Sequence, residues 1–215
     1  MTRAPHLCGL ILAAGESLRM GIDKALLPWP PRASAPAAPP GQTLLSAAIL
    51  ALQPLTRAVI VVAGKNAEAI GPAVDERGAF LVRNPAPERG QFSSLQVGLR
   101  ELLARGCDAG IITPVDCPPL SAPSLDLLRA SFERALTRGL WAVAPENNGK
   151  HGHPLLASRE LIDALLAAPV TSNAREVLHS HRQRVQYVPV PDALVNAGLN
   201  TPEDYAAVAE KTPAK

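Results

Sequence analysis

Short apolar runs of strand length alternate with longer helical patterns along this chain, and this alternation restricts the possible folds more than any other feature. The apolar runs lie at residues 7–12, 58–63, 79–82, 109–113, 140–144 and 185–190. Helical spacing of apolar residues marks residues 43–52, 93–103, 121–136, 159–166 and 173–179. The apolar runs are too continuous for half-exposed strands, because such runs belong in a sheet that is covered on both faces. The pattern predicts an α/β fold with a single doubly wound, Rossmann-like, mostly parallel sheet and helices on both faces.

Charge and hydropathy exclude two classes of partner. The 21 basic and 19 acidic residues give a formal net charge of +2, whereas a general nucleic-acid binder carries a strong basic surplus. Every apolar run is far shorter than the roughly 20 residues of a membrane span. The first run is not followed by the small-residue cleavage site of a signal peptide. We therefore expect a cytoplasmic protein that binds neither nucleic acid nor membranes and holds any anionic ligand locally.

The cysteines, Cys8, Cys107 and Cys117, are odd in number and form no CxxC pair. This spacing argues against a disulfide framework and against a thiolate zinc site. A reducing cytoplasm is the expectation that follows.

The length of 215 residues, 47% of them hydrophobic, supports one sizeable core. We expect one domain over residues 1–208 and a flexible tail at 209–215. Residues 28–41 carry six of the chain's 22 prolines, which excludes a helix interior or a central strand there. We interpret this segment as an extended surface insertion, and its role stays open between a passive linker and a lid or partner-binding loop.

The loop after the first predicted strand has the composition of an anion site. Residues 12–24 read LAAGESLRMGIDK, and the small residues at 13–15 allow the backbone to approach a flat ligand or a phosphate closely. Arg19 offers a planar fork of donors and Lys24 a compact charge, a pair that suits a polyphosphate. By composition alone, a strand-to-helix turn with two solvated cations is an equally good interpretation. The glycine spacing fits neither a Walker loop nor the GxGxxG turn of a Rossmann oxidoreductase.

Asp116 directly follows the fourth apolar run, within the segment IITPVDCPPL at residues 111–120. Mg²⁺ takes oxygen ligands and needs only one or two from the protein when substrate phosphates supply others. The alternative is a turn or cap residue ahead of the prolines. We interpret Cys117 as a wall residue and not as a nucleophile.

The segment VNAGLNTPEDY at residues 195–205 contains a helix start. Thr201 suits the N-cap, Pro202 the first turn, and Asp204 lies three residues after the cap. Capping explains these three residues and leaves Asn200 without a role.

The segment GQFSSL at residues 90–95 precedes a helical pattern. A serine cap is the simple interpretation, although the start of a helix also receives anions. Asn84 follows the third apolar run.

The segment GKHGHPLL at residues 149–156 holds His151 and His153, and His179 with His181 forms a second pair of the same spacing. A zinc site could be drawn from these four histidines, but nothing in the sequence fixes their mutual distances, and packed or solvated histidines are the usual case.

Taken together, these segments resemble the MobA-like nucleotidyltransferases, particularly the molybdenum cofactor cytidylyltransferases. Five ordered motifs carry the resemblance from Leu7 to Tyr205: LAAGESLRMGIDK, GQFSSL, PVDCPPL, GKHGHPLL and NTPED. The resemblance implies a fold of the nucleotide-diphospho-sugar transferase type. It implies nucleotide contacts at Leu12, Ala13, Ala14, Gly15, Arg19, Lys24, Ser93, Ser94 and Asp116. It further implies catalytic roles for Arg19, Lys24 and Asp116, acceptor contacts at Gly152, His153 and Pro154, and Mg²⁺ bound by Asp116 and Asn200.

The implied reaction transfers CMP from CTP to the phosphate of molybdenum-bound molybdopterin and releases pyrophosphate. The residues LAAG at 12–15 favour CTP, because the guanylyltransferase branch tends to have LAGG there. Gly198 departs from the family pattern, which often has Asp or Asn at that position, and this departure puts the affinity for Mg²⁺ in question. We expect a monomer that could deliver its product to a client molybdoenzyme.

Two alternatives stay open. The chain could be a nucleotidyltransferase that uses GTP or another nucleoside triphosphate with a different phosphorylated acceptor, such as a sugar phosphate. It could also be a non-catalytic chaperone that binds nucleotide or cofactor for a molybdoenzyme.

Overall fold

The computed structural model describes residues 5–15, 20–31 and 42–211, and the structural statements below refer to these residues. The strands are β1 (Leu7–Ala13), β2 (Val59–Ala63), β3 (Phe80–Arg83), β4 (Ala109–Pro114), β5 (Ala142–Asn147), β6 (Lys150–His151), β7 (Leu155–Ala157) and β8 (Val185–Pro189). The α-helices are α1 (Leu44–Leu52), α2 (Ala67–Glu76), α3 (Gln91–Ala104), α4 (Ala122–Thr137), α5 (Arg159–Ala167), α6 (Ala174–Ser180) and α7 (Pro202–Lys211).

The strands form one eight-stranded sheet in the order β3-β2-β1-β4-β7-β5-β6, and β8 pairs with β5. The pairs β1–β2, β1–β4, β2–β3 and β5–β8 are parallel. The short strand β7 is antiparallel to both β4 and β5, and β6 is antiparallel to β5. This mostly parallel, doubly wound sheet confirms the predicted fold class.

Two apolar layers cover the sheet. Side chains alternate along β1, so that Ile11 faces the layer that α1, α2 and α4 build, whereas Leu10 and Leu12 face the layer of α3, α5 and α6. Continuous apolar strands are the result, because each face needs its own apolar residues. A smaller cluster that includes Leu27 and Leu199 connects the start of α1 with α7.

The six predicted strands and five predicted helical segments all occur, with small shifts at their ends. Our prediction that all apolar runs are covered on both faces is wrong for β3 and β8, whose residues are mostly half-buried or exposed. Each of these strands pairs with a single neighbour and lies at an edge of the sheet. The apolar patterns of the sequence did not predict α2, β6 and β7.

The structure corrects the expectation about cysteines, because Cys8 and Cys107 form a disulfide. Cys8 lies in β1 and Cys107 stands two residues before β4, and since these strands are parallel neighbours the two Cα atoms are 6.0 Å apart. A count of three cysteines could not show this contact, which joins positions 99 residues apart. Cys117 is the free thiol among the described residues.

Part of the predicted surface insertion is buried instead. Trp29 is 6% exposed and packs with Leu44, and its backbone N–H donates to the carbonyl of Gln42 at 3.1 Å. Most of the insertion, at residues 32–41, lies outside the described residues. At the other end, α7 continues to Lys211, three residues beyond the expected domain boundary, and the last four residues lie outside the described part.

No helix in the described ranges is long and apolar enough to cross a membrane.

Gly98 sets the distance between α3 and the sheet, because a Cβ atom there would lie 2.7 Å from Val62 Cγ2 and still nearer to Leu10. We expect Gly98→Ala to lower the free energy of unfolding by about 1–3 kcal/mol through overpacking. Urea denaturation measures the change. Gly71→Ala in α2 is the matched control, because its added Cβ would meet nothing nearer than 3.7 Å. The control should be neutral or stabilising by up to about 1 kcal/mol, and equal effects of the two substitutions would contradict the packing argument.

Candidate active site

A cleft of about 610 Å³ opens at the carboxyl ends of β1 and β4, where open α/β sheets place their ligands. Its volume lies in the range of small-molecule sites. The lining residues are Leu12, Ala14, Gly15, Lys24, Pro87, Glu88, Gly90, Gln91, Ser94, Pro114, Val115, Asp116 and Asn200.

The Lys24 ammonium lies between two oxygen atoms from distant parts of the chain. Its Nζ donates to Asp116 Oδ2 at 3.1 Å and to Asn200 Oδ1 at 3.0 Å. The Lys24 side chain is 12% exposed and that of Asp116 29% exposed. Three residues that the sequence analysis selected from separate motifs therefore meet at one point of the cleft.

The segment after Val195 is attached to the loop after β4. The Leu199 N–H donates to the Asp116 carbonyl at 2.8 Å. Asp204 Oδ2 accepts from the N–H groups of Asn200 and Thr201, both at 2.9 Å, and the Asp204 N–H donates to Thr201 Oγ1 at 3.2 Å. This reciprocal cap confirms the predicted start of α7 and also fixes the backbone of Asn200.

Asp23 and Asn66 position Lys24, and the sequence analysis missed both. Asp23 caps the 3₁₀ turn that contains Lys24, since its Oδ1 accepts from the Ala25 N–H at 3.0 Å. Asn66 Nδ2 donates to Asp23 Oδ2 at 2.7 Å and to the Ala13 carbonyl at 2.9 Å. Asn66 follows an apolar strand, as Asp116 does, so the same rule about strand ends could have identified it.

The backbone around Ala14 approaches the loop after β2 closely. A Cβ atom on Gly64 would lie 2.8 Å from the Ala14 carbonyl oxygen, so only glycine fits there without a shift. The Gly64 N–H donates to Asn66 Oδ1 at 3.0 Å. The loops after β1 and β2 therefore pack backbone against backbone at Ala14 and Gly64, and the hydrogen bonds of Asn66 to Gly64 and Ala13 hold them together.

Asn84 anchors the first turn of α3. This buried side chain donates through Nδ2 to the hydroxyl oxygens of Ser93 and Ser94, both at 2.9 Å, and its Oδ1 accepts from the Ala86 N–H at 3.0 Å. The simple interpretation of a serine cap is wrong, because the N-cap is Gly90, whose φ of +93° suits glycine. Both serines lie inside the helix, and Ser94 faces the cleft.

His153 lies next to the cleft without lining it. Burial lowers the pKa of His153 below its ordinary 6.5, and a hydrogen bond with the Ile112 main chain and the nearby Asp116 carboxylate oppose that shift. Its Nδ1 is buried and has no hydrogen-bond partner in the described ranges. The preceding Gly152 packs so tightly on the Val195 carbonyl that a side chain would collide with it. The lowered pKa of His153 favours the neutral imidazole at pH 7.

Burial raises the pKa of the Cys117 thiol to about 12, and the neighbouring Asp116 charge adds to the increase. A thiol that stays protonated is a poor nucleophile, as expected for Cys117; its side chain borders the small void near Pro154 and not the cleft, so its role as a wall residue stays a prediction.

The remaining histidines form other contacts. His151 pairs with Glu146 at 3.2 Å and stacks on Tyr187 with ring centroids 3.5 Å apart. His181 packs against Trp141. The described ranges contain no cluster of three or more His, Cys, Asp or Glu that could hold a metal, so the four-histidine zinc alternative has no structural basis there.

Most of the predicted nucleotide contacts share the cleft, together with both predicted metal ligands, Asp116 and Asn200. The predicted residues in the lining are Leu12, Ala14, Gly15, Lys24, Ser94, Asp116 and Asn200. Ala13 is buried at the end of β1, Ser93 faces a neighbouring cavity, and Arg19 lies outside the described residues. Among the predicted acceptor contacts, Gly152 and His153 line none of the described cavities, and Pro154 borders a small void near Cys117. Glu88 and Gln91 line the cleft without having been predicted.

A doubly wound sheet with a cleft at the carboxyl ends of its parallel strands is an architecture of nucleotide-binding α/β proteins. Residues 9–185 match the MobA-like NTP transferase domain family. The chain belongs to this family.

Individual relatives cover nearly the whole chain. The molybdenum cofactor cytidylyltransferase of Escherichia coli (strain K12) is 26% identical over 205 residues, which cover 94% of this chain and 95% of the relative. The molybdenum cofactor guanylyltransferase of Rhodobacter capsulatus is 30% identical over 217 residues, 96% of each chain. The crystal structure of Rv0371c from Mycobacterium tuberculosis H37Rv has a TM-score of 0.73 and 25% identity, and covers 97% of this chain and 100% of its own. A structure of Rv0371c in complex with manganese has a TM-score of 0.66 and 22% identity, with coverage of 96% and 100%.

The lowered pKa of His153 predicts a pH dependence of stability. In the unfolded chain, His153 takes up a proton as the pH falls through about 6.5, whereas burial opposes this proton uptake in the folded chain. The contribution of the buried, neutral His153 to the free energy of unfolding is therefore complete above about pH 6.5 and is lost below it. We expect His153→Asn to lose less unfolding free energy than the wild type between pH 7 and pH 5, as measured by urea denaturation. His179→Asn, at an exposed position of α6, should keep the wild-type slope. A His153→Asn slope equal to that of the wild type would contradict the assignment.

Proposed function

We propose that this protein transfers CMP from CTP to the phosphate of molybdenum-bound molybdopterin and releases pyrophosphate, with Mg²⁺ as cofactor. The observation that carries the proposal is the meeting of Lys24, Asp116 and Asn200 in the cleft of a MobA-like NTP transferase domain. The relatives act on the molybdenum cofactor, as their names state. The Ala-Ala-Gly turn at residues 13–15 favours CTP as the nucleotide.

Different residues of the cleft bind different parts of the nucleotide. The backbone at Ala14 and Gly15 receives the base, because no side chain there prevents the approach of a flat ring. Ser94 lies along the nucleotide. Lys24 holds the triphosphate with its ammonium, assisted by Arg19 from the same loop.

The donor set fits a hard divalent cation. Asp116 Oδ2 and Asn200 Oδ1 each lie about 3 Å from one ammonium, so both oxygens point at a position where positive charge is already stable. A carboxylate and an amide oxygen are ligands that Mg²⁺ accepts when phosphates and water complete the shell. When bound, Mg²⁺ neutralises charge on the triphosphate and on the leaving pyrophosphate. The manganese complex of Rv0371c, a protein of the same fold, is consistent with the use of a divalent cation.

The reaction balances without a covalent enzyme intermediate. An oxygen of the acceptor phosphate forms a bond to the α-phosphorus of CTP, and the bond from that phosphorus to the oxygen that bridges to the β-phosphate breaks. A phosphate monoester is ionised at neutral pH, so positioning and charge neutralisation supply most of the rate. The resemblance gives His153 a contact with the acceptor; its side chain is buried near Asp116, and in the neutral form it adds no charge there.

GTP is the second candidate nucleotide, because the Rhodobacter capsulatus relative is a guanylyltransferase. Calorimetric titration with CTP, GTP, ATP and UTP, each with and without Mg²⁺, separates the candidates and needs no unstable pterin. We expect selective, metal-dependent binding of CTP. Selective binding of GTP would replace the cytidylyl assignment by a guanylyl one. Binding of CTP without release of pyrophosphate in the presence of acceptor would favour the chaperone.

Loss of the Asp116 carboxylate should abolish turnover. Asp116→Asn keeps the size of the side chain and removes the charge that faces Lys24. We expect its turnover to fall by at least about 10³-fold, because the variant no longer holds the Mg²⁺ that neutralises charge on the leaving pyrophosphate. Pyrophosphate release measures the rate. Asp126→Asn, at an exposed position of α4, is the matched control and should keep the wild-type rate. Near-full activity of Asp116→Asn would contradict the metal assignment.

Removal of the Lys24 ammonium should act on both binding and chemistry. Lys24→Ala should weaken the binding of the triphosphate and lower kcat, because the same ammonium contacts the triphosphate before the reaction and the pyrophosphate as it forms. CTP and CMP titrations distinguish the two roles. A loss of affinity that is as large for CMP as for CTP would contradict a contact with the β- and γ-phosphates.

A further inference from the structure

A second cavity, of about 380 Å³, shares the segment 84–97 with the nucleotide cleft, and the residues of this segment alternate between the two linings. Its lining residues are Asn84, Pro85, Ala86, Arg89, Ser93, Gln96, Val97, Arg100, Leu166, Ala168 and Val170. Neither Lys24 nor Asp116 borders it. Of the predicted nucleotide contacts only Ser93 borders it, and the proposed transfer reaction uses Ser94 instead.

One face of α3 builds the floor of the cavity. Ser93, Gln96, Val97 and Arg100 have the spacing i, i+3, i+4 and i+7, which places them on one side of the helix. Gln96 is 4% exposed, and its Nε2 donates to the carbonyls of Leu165 and Ala168 at 3.0 and 2.9 Å. These bonds tie the chain that follows α5 to α3, so the opposite wall is held in place and is not a loose loop.

Every charge in this lining is positive. Arg89 and Arg100 are exposed, and neither forms an ion pair with any described carboxylate. Three other arginines on or next to helices have a carboxylate four residues away, in the pairs Arg105–Glu101, Arg129–Glu133 and Arg159–Asp163, whereas the exposed Arg134 and Arg175 do not. At the corresponding distance from Arg100 the helix has Gln96 and Ala104. The two guanidinium groups are therefore available to an anionic ligand.

We propose that this cavity binds a phosphate monoester of a small, mostly apolar molecule. Arg89 and Arg100 hold the phosphate, since guanidinium groups match its oxygens with paired hydrogen bonds. Val97, Leu166 and Val170 contact the organic part, and the volume accommodates a single small ring system.

The proposed ligand is separate from the substrates in the cleft, and a buried polar contact connects the two sites. Asn84 bonds to Ser93, which lines the second cavity, and to Ser94, which lines the cleft. A ligand that moves the first turn of α3 would thus also shift Ser94 in the cleft, because Asn84 bonds to both serines. This site goes beyond the proposed transfer reaction and does not depend on it.

Calorimetric titration of the full chain with phenyl phosphate and with inorganic phosphate tests the proposal. We expect phenyl phosphate to bind more tightly than inorganic phosphate, because it also contacts the apolar walls. Arg89→Gln and Arg100→Gln should each weaken phenyl phosphate binding by about tenfold. The double variant should lose detectable binding and keep the affinity of the wild type for CTP. Both arginines are exposed, so the substitutions leave the core intact.

Arg129→Gln is the matched control, because it removes the same charge from α4, which packs on the other face of the sheet. It should bind phenyl phosphate as the wild type does. Three results would overturn the proposal: no binding of phenyl phosphate to the wild type, unchanged binding to the double variant, or full displacement of the probe by CTP. Equal affinities for inorganic phosphate and phenyl phosphate would overturn the role of the apolar walls.

Discussion

The pair of hydrogen bonds from Lys24 holds together three parts of the chain that no element of secondary structure connects. Lys24 is 92 residues from Asp116 and 176 from Asn200 in sequence. In water such contacts between exposed groups contribute little, but here the ammonium is mostly buried and both partners are fixed by their own backbone bonds. The loop after β1, the loop after β4 and the segment before α7 therefore form one rim of the cleft.

The fold and the three residues of this rim could be predicted from the sequence because they carry local patterns or motifs. Apolar runs identified the central strands, and the rule that ligands lie at strand ends pointed to Lys24 and Asp116. What could not be predicted depends on contacts at long range. The disulfide of Cys8 with Cys107 exists only because β1 and β4 are neighbours, and α2 was missed because Gly71 and Pro72 interrupt its pattern.

The site itself shows the same division. Thr201 and Asp204 could be recognised as a cap, since their spacing of three residues is a local signal. The second role of Asp204, which is to fix Asn200, required the structure. Likewise Asn84 was noticed for its place after the third strand and for its match to an Asn-Pro turn of the family, whereas its bonds to Ser93 and Ser94 show that it positions the start of α3. Polar residues that act through a neighbour carry no motif of their own.

The bond from the Leu199 N–H to the Asp116 carbonyl makes the end of the chain matter to the cleft more than to the sheet. Every strand of the sheet precedes residue 190, so a chain cut before residue 198 would keep all eight strands. The loop after β4 would lose its backbone partner, and Lys24 would lose its contact with Asn200. Proteolysis at this end would therefore damage the cleft and leave the strand order of the sheet unchanged.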